Sequence, residues 1–324
     1  MKDSLDQLKF HVFEFVVLPQ RDVILPDFKG NAFRGALGKY LRRLTCAFKT
    51  QNPSCNDCLI RDQCIYSRVM ESYRIKAGLV LGNVDNAPHP FVLYVPDKHK
   101  LEYKRDHRIH FYLTLIGEAV AYIPYFILTF EEIGTYGIGN TRSPFVIEKV
   151  LCSNVMIYNR ETKTITRDFP GIRGSDFLKE TGTIKSLTLE LETPLRLKFN
   201  GSFQKRITFE MVVRNLLRRI QLLSALYCEG PEIVDFKDLI ERSKTIRVRN
   251  SSIYWEQQSR FSFRQEKHIG MGGVSGRIAF EGNLEPFMPF LRIGEYLHVG
   301  KGTAFGLGKY RIVEETLPAM SLLK

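Results

Sequence analysis

The stretch HVGKGTAFGLGKYRIV, residues His298–Val313, sets four glycines and three Lys or Arg residues between an apolar helical segment and a closing strand. Glycine tolerates φ > 0 and lets a backbone approach a ligand closely. Successive amides in such a loop can cradle a phosphate. Lys301 and Lys309 put positive charge at the same place, which suits a sugar–phosphate backbone. The loop lacks the lysine–serine ending of a nucleoside-triphosphate loop. Gly300, Gly302, Gly306 and Gly308 are therefore candidate contacts to a phosphate strand; the alternative is a structural turn packing helix on sheet. A fainter copy, GIGNTRSPFVIEKV (Gly137–Val150), reads as that turn.

Working outward, each glycine loop closes a similar series of elements. In the first half, LKFHVFEFVV reads as a strand and GNAFRGALGKYLRRLTC as a helix, with Phe33, Leu37, Tyr40, Leu41 and Leu44 on one stripe and Asn31 as its cap. FVLYV and RIHFYLTLIG read as strands, EAVAYIPYFILTFEEIG as a helix carrying Pro124 in its first turns or at a kink, and SPFVIEKV as a strand. In the second half SLTLELETPLRLKF, RFSFRQ, VSGRIAFEG and LGKYRIV read as strands. TFEMVVRNLLRRIQLLSALY and LEPFMPFLRIGEYL read as helices. Both halves read βαββαβ, the ferredoxin-like unit. The right-handed crossover rule leaves few other ways to fold that order into one sheet. The expected fold is thus α+β, with tandem ferredoxin-like domains over 1–180 and 181–324 and a cysteine-bearing insert over 46–75.

The 324 residues are 44% hydrophobic and 25% charged, a globular balance. No apolar run is long enough to span a bilayer, and the start shows no signal-peptide pattern, so a cytoplasmic protein is expected. Lys plus Arg number 47 against 35 Asp plus Glu, a net charge of +12. Such an excess attracts polyanions, and without a long polybasic amphipathic face nucleic acid is favoured over a membrane. The 12% aromatic residues alternate as core residues do, and no RNA-recognition stacking motif is present.

Four of the six cysteines are spaced Cys46-x8-Cys55-x2-Cys58-x5-Cys64. Four thiolates bind Zn²⁺ tetrahedrally, and Cys-x2-Cys is the usual local chelate. A structural zinc is expected, with an iron–sulfur cluster or free thiols as alternatives.

The run RFSFRQEKHIGMGGVSGRIAFEGNLEPFMPFLRIGEYLHVGKGTAFGLGKYRI resembles the C-terminal signature of CRISPR-associated repeat-processing endoribonucleases of the RAMP superfamily. FRGALGKYLRRLTC followed by CNDCLIRDQC is similar to the N-terminal half of a subgroup. The resemblance implies ferredoxin-like units and cleavage of a CRISPR precursor RNA within its repeats. It also implies a metal-independent reaction in which a ribose 2′-hydroxyl attacks the adjacent phosphorus, leaving 2′,3′-cyclic phosphate and 5′-hydroxyl ends. The competing function is a non-catalytic RAMP subunit that binds guide RNA in an effector complex. Other CRISPR effector subunits and a homodimeric partner are compatible with either.

That chemistry needs a base, an acid and cations for the charged phosphorane. Many relatives carry a catalytic histidine on or near the first helix; this helix has none. His298, abutting the glycine loop, is the first candidate, with Lys39 and Arg34 as charge stabilisers and Tyr40 a weaker choice. Arg42, Arg43, Arg264, Lys267, Lys301 and Lys309 are the candidate RNA contacts.

Overall fold

The computed structural model describes residues 2–48, 54–71, 87–96, 99–166, 168–178, 184–230, 235–262 and 267–316. It has mixed helices and antiparallel sheets, in two compact units. One comprises residues 8–172 with 222–233; the other comprises 1–7, 173–221 and 234–324.

In the first unit, the strands β1 (Lys9–Pro19), β2 (Phe91–Tyr94), β3 (Ile109–Ile116) and β4 (Phe145–Cys152) stand in the order β2-β3-β1-β4. A further strand, Val155–Asn159, pairs outside β4. The helices are α1 (Lys29–Thr45) and α2 (Ile123–Tyr136). An aromatic cluster ties helices to sheet: Phe15 lies opposite Phe111 in the β1–β3 register, and Phe33 of α1 and Phe130 of α2 meet Phe111 at 5.0 and 4.6 Å between ring centroids. All four rings are buried, and burial of rings this size dominates core energetics. Pro124 sits in the first turn of α2, where its missing N–H costs no helical bond.

The second unit repeats the plan. Its strands are β5 (Ser186–Leu195), β6 (Arg247–Glu256), β7 (Gly273–Glu281) and β8 (Tyr310–Thr316), in the order β6-β7-β5-β8, with helices α3 (Phe209–Tyr227) and α4 (Met288–Leu297). Phe209, Val212, Val213, Leu216, Leu217, Ile220 and Leu223 are all buried, as their spacing requires. In each unit the first strand lies between the third and the fourth, the arrangement that βαββαβ connectivity gives in a ferredoxin-like sheet.

Three local expectations change. Helix α1 begins at Lys29 without a side-chain cap, so Asn31 lies inside its first turn. Leu44, assigned to the apolar stripe, is exposed. Of the stretch RFSFRQ, the described residues Arg260–Ser262 are not in the main sheet, and the rest lies outside the described residues. Ser259–Ser262 pairs with Lys267–Gly270 in a separate hairpin, and the second strand of the unit is β6. Most of β6 is exposed at the edge of its sheet, so it carries no apolar alternation from which a strand could be read.

Phe209 packs between Phe280 and Phe287 at 5.0 Å to each. Phe209→Ala should therefore cost about 3–5 kcal/mol of stability. Chemical denaturation at fixed pH reads this directly, and a loss below about 1 kcal/mol would contradict the packing.

Candidate RNA-binding site on the glycine loop

The loop after α4 owes its shape to backbone constraints. Gly300, Gly302, Gly306 and Gly308 all have φ between 73° and 88°, in the left-handed region. At Gly308 a Cβ would run into the carbonyl of Val299. The segment is sewn to the end of β5 and the residues after it. Lys301 N–H donates to the Arg196 carbonyl (2.9 Å), Gly308 N–H to the Pro194 carbonyl (3.1 Å), and Lys309 N–H to Thr193 Oγ1 (2.9 Å). Further amides bond within the loop, including those of Val299, Phe305, Gly306 and Leu307. These bonds commit much of the loop's main chain to the fold that the glycines make possible. The glycines provide a tight turn that presents a side chain.

That side chain is Lys301. It reaches solvent, and its neighbours are Arg218, Lys198 and Arg219. Surrounding protein, followed by the positive charge of these three residues, lowers its pKa from the ordinary lysine value. Arg218 and Lys198 are exposed, whereas Arg219 is buried and donates from Nε to the Leu297 carbonyl at 2.9 Å. The exposed cations form a concentrated positive site at the mouth of the loop. Neither Lys198 nor Arg218 is among the candidates read from the sequence. A helix and a strand end far apart in the chain bring them to Lys301, and no local pattern signals that.

The other loop candidates face inward. His298 is 2% exposed, and its Nδ1–H donates to the Leu307 carbonyl at 3.2 Å. Burial, reinforced by the charge of Lys309, drives its pKa well below 6.5. A buried imidazole that spends its Nδ1 proton on the main chain holds the loop, so it is not placed to meet RNA. Lys309 donates from Nζ to the Glu295 carbonyl at 2.7 Å and is likewise a brace. Arg264 lies outside the described residues. Lys267 lies on the strand Lys267–Gly270.

The α1 candidates split by face. Lys39 is exposed, with its Nζ 5.1 Å from the centre of the Tyr40 ring. Arg43 is exposed but engaged, donating to Tyr136 Oη at 2.8 Å and pairing with Glu132 at 3.6 Å. Arg42 lies over the Tyr66 ring at 5.5 Å, and the Nε of Arg34 is buried. Gly38 thins α1 for a protein neighbour, since a Cβ there would lie 2.9 Å from Met70 Cε on the short helix Ile65–Met70. Tyr40 is buried and stacked on Tyr136, a core residue.

Cys46, Cys55, Cys58 and Cys64 line one small cavity with Arg42, Phe48 and Tyr66, and all four thiols are free. Among the described residues, no group of three or more His, Cys, Asp or Glu side chains is placed to hold a metal ion. Burial pushes the Cys55 thiol up, toward its protonated form. Among the described residues, no helix is long and apolar enough to cross a membrane.

Residues 8–169 match a family model described as an N-terminal domain, and residues 189–310 match that of the CRISPR-associated endoribonuclease Cas6. A protein of Archaeoglobus fulgidus, described as uncharacterized, is 25% identical over 301 residues, covering 89% of this chain and 92% of its own. Among solved structures, a Cas6 product complex has a TM-score of 0.56 at 13% identity, over 94% of this chain and 100% of that one. A Thermus thermophilus Cas6 gives 0.55 at 12% identity, over 94% and 99%. A partial Cas6-RT-Cas1–Cas2 complex gives 0.59 at 10% identity, over 96% of this chain and 47% of that one. At such identities the likeness shows a shared fold, that of tandem ferredoxin-like units.

His298 generates a pH test. Its folded pKa is depressed, so the unfolded chain binds the proton first as pH falls. Its contribution to stability is present above the unfolded value of 6.5 and is lost as pH drops below it toward the folded value. Melting temperatures at pH 7.5 and 5.5 should differ more for the unaltered chain than for His298→Gln. An equal difference in the two proteins would remove His298 as a buried neutral brace.

Proposed function

We propose that this chain, which belongs to the CRISPR-associated repeat-processing endoribonuclease family of the RAMP superfamily, cuts CRISPR precursor RNA within its repeats without a catalytic metal. The observation that carries the reading is the exposed cluster of Lys301 on the glycine loop with Lys198 and Arg218 beside it, inside the segment that matches the endoribonuclease model.

The reaction needs no group from outside the chain. A base takes the proton of the ribose 2′-hydroxyl, whose oxygen attacks the adjacent phosphorus. The P–O5′ bond breaks, and an acid returns a proton to the leaving 5′-oxygen. The ends are a 2′,3′-cyclic phosphate and a 5′-hydroxyl. Lys301 suits the base, because a lysine with a lowered pKa holds a larger neutral fraction near pH 7. Lys198 and Arg218 suit the charge on the phosphorane. In the other unit, and as a separate candidate, Lys39 is exposed on α1 and could meet RNA charge, whereas Arg34 has its Nε buried and is a weaker choice. The first helix carries no histidine, which favours lysine chemistry here and also supports the second reading, a guide-RNA-binding subunit that does not cut.

A structural zinc at Cys46, Cys55, Cys58 and Cys64 belongs to the same proposal as a separate element. Four free thiols around one cavity favour it, and the lack of a converged group of three weighs against it. Metal analysis after mild purification decides: about one ion per chain supports the site, and well under one removes it.

The purified chain should cleave labelled repeat RNA in EDTA and leave intact an RNA with a single 2′-deoxy at the scissile nucleotide. Tight binding without cutting would instead assign the subunit role. Lys301→Ala should slow cleavage about 10²–10⁴-fold. The rate of the unaltered chain should rise with pH and level off below 10.5, the ordinary lysine value, because the neutral amine is the active form. An unchanged rate in Lys301→Ala would take this residue out of the chemistry.

A further inference from the structure

Close after β5 comes a small hairpin, Lys198–Phe199 paired with Ser202–Phe203. Its turn residues Asn200 and Gly201 have φ of 48° and 83°, the left-handed pair that a two-residue hairpin favours. The hairpin is braced by Gln204, whose Nε2 donates to the carbonyls of Phe199 (3.0 Å) and Ser202 (3.1 Å) and to Ser202 Oγ (2.9 Å).

Phe203 lies directly opposite Lys198, so the two side chains share a face. The guanidinium carbon of Arg196 sits 4.5 Å from the centre of the Phe203 ring. Arg196 is itself anchored, donating to the Gly270 carbonyl at 3.1 Å, while its own carbonyl accepts the Lys301 amide at 2.9 Å. One residue thus links the ring to the loop. Phe203 nevertheless keeps 42% of its surface exposed.

A single exposed apolar side chain is ordinary on a protein surface. This one differs in three respects. It is held in place by a braced turn and a nearly buried arginine. It lies beside Lys198, one of the charges around Lys301. It also presents a flat apolar face where a phosphate strand would be gripped. Aromatic rings beside a basic track are how single-stranded nucleic acids are commonly held, because every base offers a π-face.

From this geometry we infer that Phe203 is a stacking platform for one unpaired nucleobase of the RNA strand whose phosphates lie at Lys198 and Lys301. The inference rests on the RNA-processing reading above and adds a base contact to its phosphate contacts. The ring cannot read the base's hydrogen-bonding edge. It selects for an unstacked base at one position relative to the gripped phosphate.

The test uses the full chain and repeat RNA, with binding followed by fluorescence anisotropy at several salt concentrations and cleavage followed in parallel. Phe203→Ala should weaken binding about 5- to 150-fold, the loss of one stacked base. The slope of log K against log salt should stay unchanged, because no phosphate contact is removed. Phe203→Trp should bind as the unaltered chain does, and Phe203→Leu should not rescue. An abasic scan of the RNA with the unaltered protein should find one position with a similar loss, and that loss should not add to Phe203→Ala. This arm stands even if a variant folds poorly. Equal binding by Phe203→Ala, full rescue by Phe203→Leu, a changed salt slope, or additive losses would each overturn the platform while cleavage by the unaltered chain keeps the processing reading. If the unaltered chain neither binds nor cuts repeat RNA, that reading falls and the platform falls with it.

Discussion

The main-chain seam between the glycine loop and the end of β5 is the constraint on which the rest of the site depends. Three donors, the amides of Lys301, Gly308 and Lys309, are spent on Arg196, Pro194 and Thr193. This spacing closes because four glycines hold left-handed conformations that other residues adopt only under strain. The same seam fixes where Lys301 emerges and seats Arg196 beneath Phe203. His298 also ends α4 in a left-handed conformation, at φ 59°, and its imidazole bonds back to Leu307 to hold the turn. The loop's chemistry therefore rests on geometry bought with glycine.

Charge distribution follows from that seam. The basic residues near the loop divide into braces and presenters. Arg219 and Lys309 each give a hydrogen bond to a carbonyl of α4, which directs their charge toward the helix end. Lys198, Arg218 and Lys301 stay exposed, and their mutual repulsion is part of what lowers the Lys301 pKa. Such a cluster is unfavourable in the free protein and favourable once an anion neutralises it, as expected of a site that binds phosphate.

The first helix shows the opposite distribution. Its arginines are mostly drawn to the protein: Arg42 over Tyr66, Arg43 to Tyr136 and Glu132, Arg34 with its Nε buried. Gly38 admits Met70 rather than a ligand. The helix thereby anchors the segment that bears the cysteines, and Lys39 is the basic side chain of its central turns that stays exposed.

The βαββαβ order was legible in the sequence wherever an element buries one face. Phe33, Leu37 and Leu41, the Phe209–Leu223 stripe, and the alternation of Ile109, Phe111, Leu113 and Leu115 all lie in the core. The glycine spacing likewise marked the tight turn after α4, because left-handed backbone selects glycine by sterics alone. Only the tertiary structure revealed β6, an edge strand whose exposed faces leave no periodic trace, and it paired Ser259–Ser262 with Lys267–Gly270 apart from the main sheet. It also sorted the basic residues, burying His298, tying Lys309 to the Glu295 carbonyl and bringing Lys198 and Arg218 to Lys301. The physical reason is that burial patterns are set by neighbours along the chain, whereas the environment of a charge is set by residues distant in sequence that packing makes adjacent.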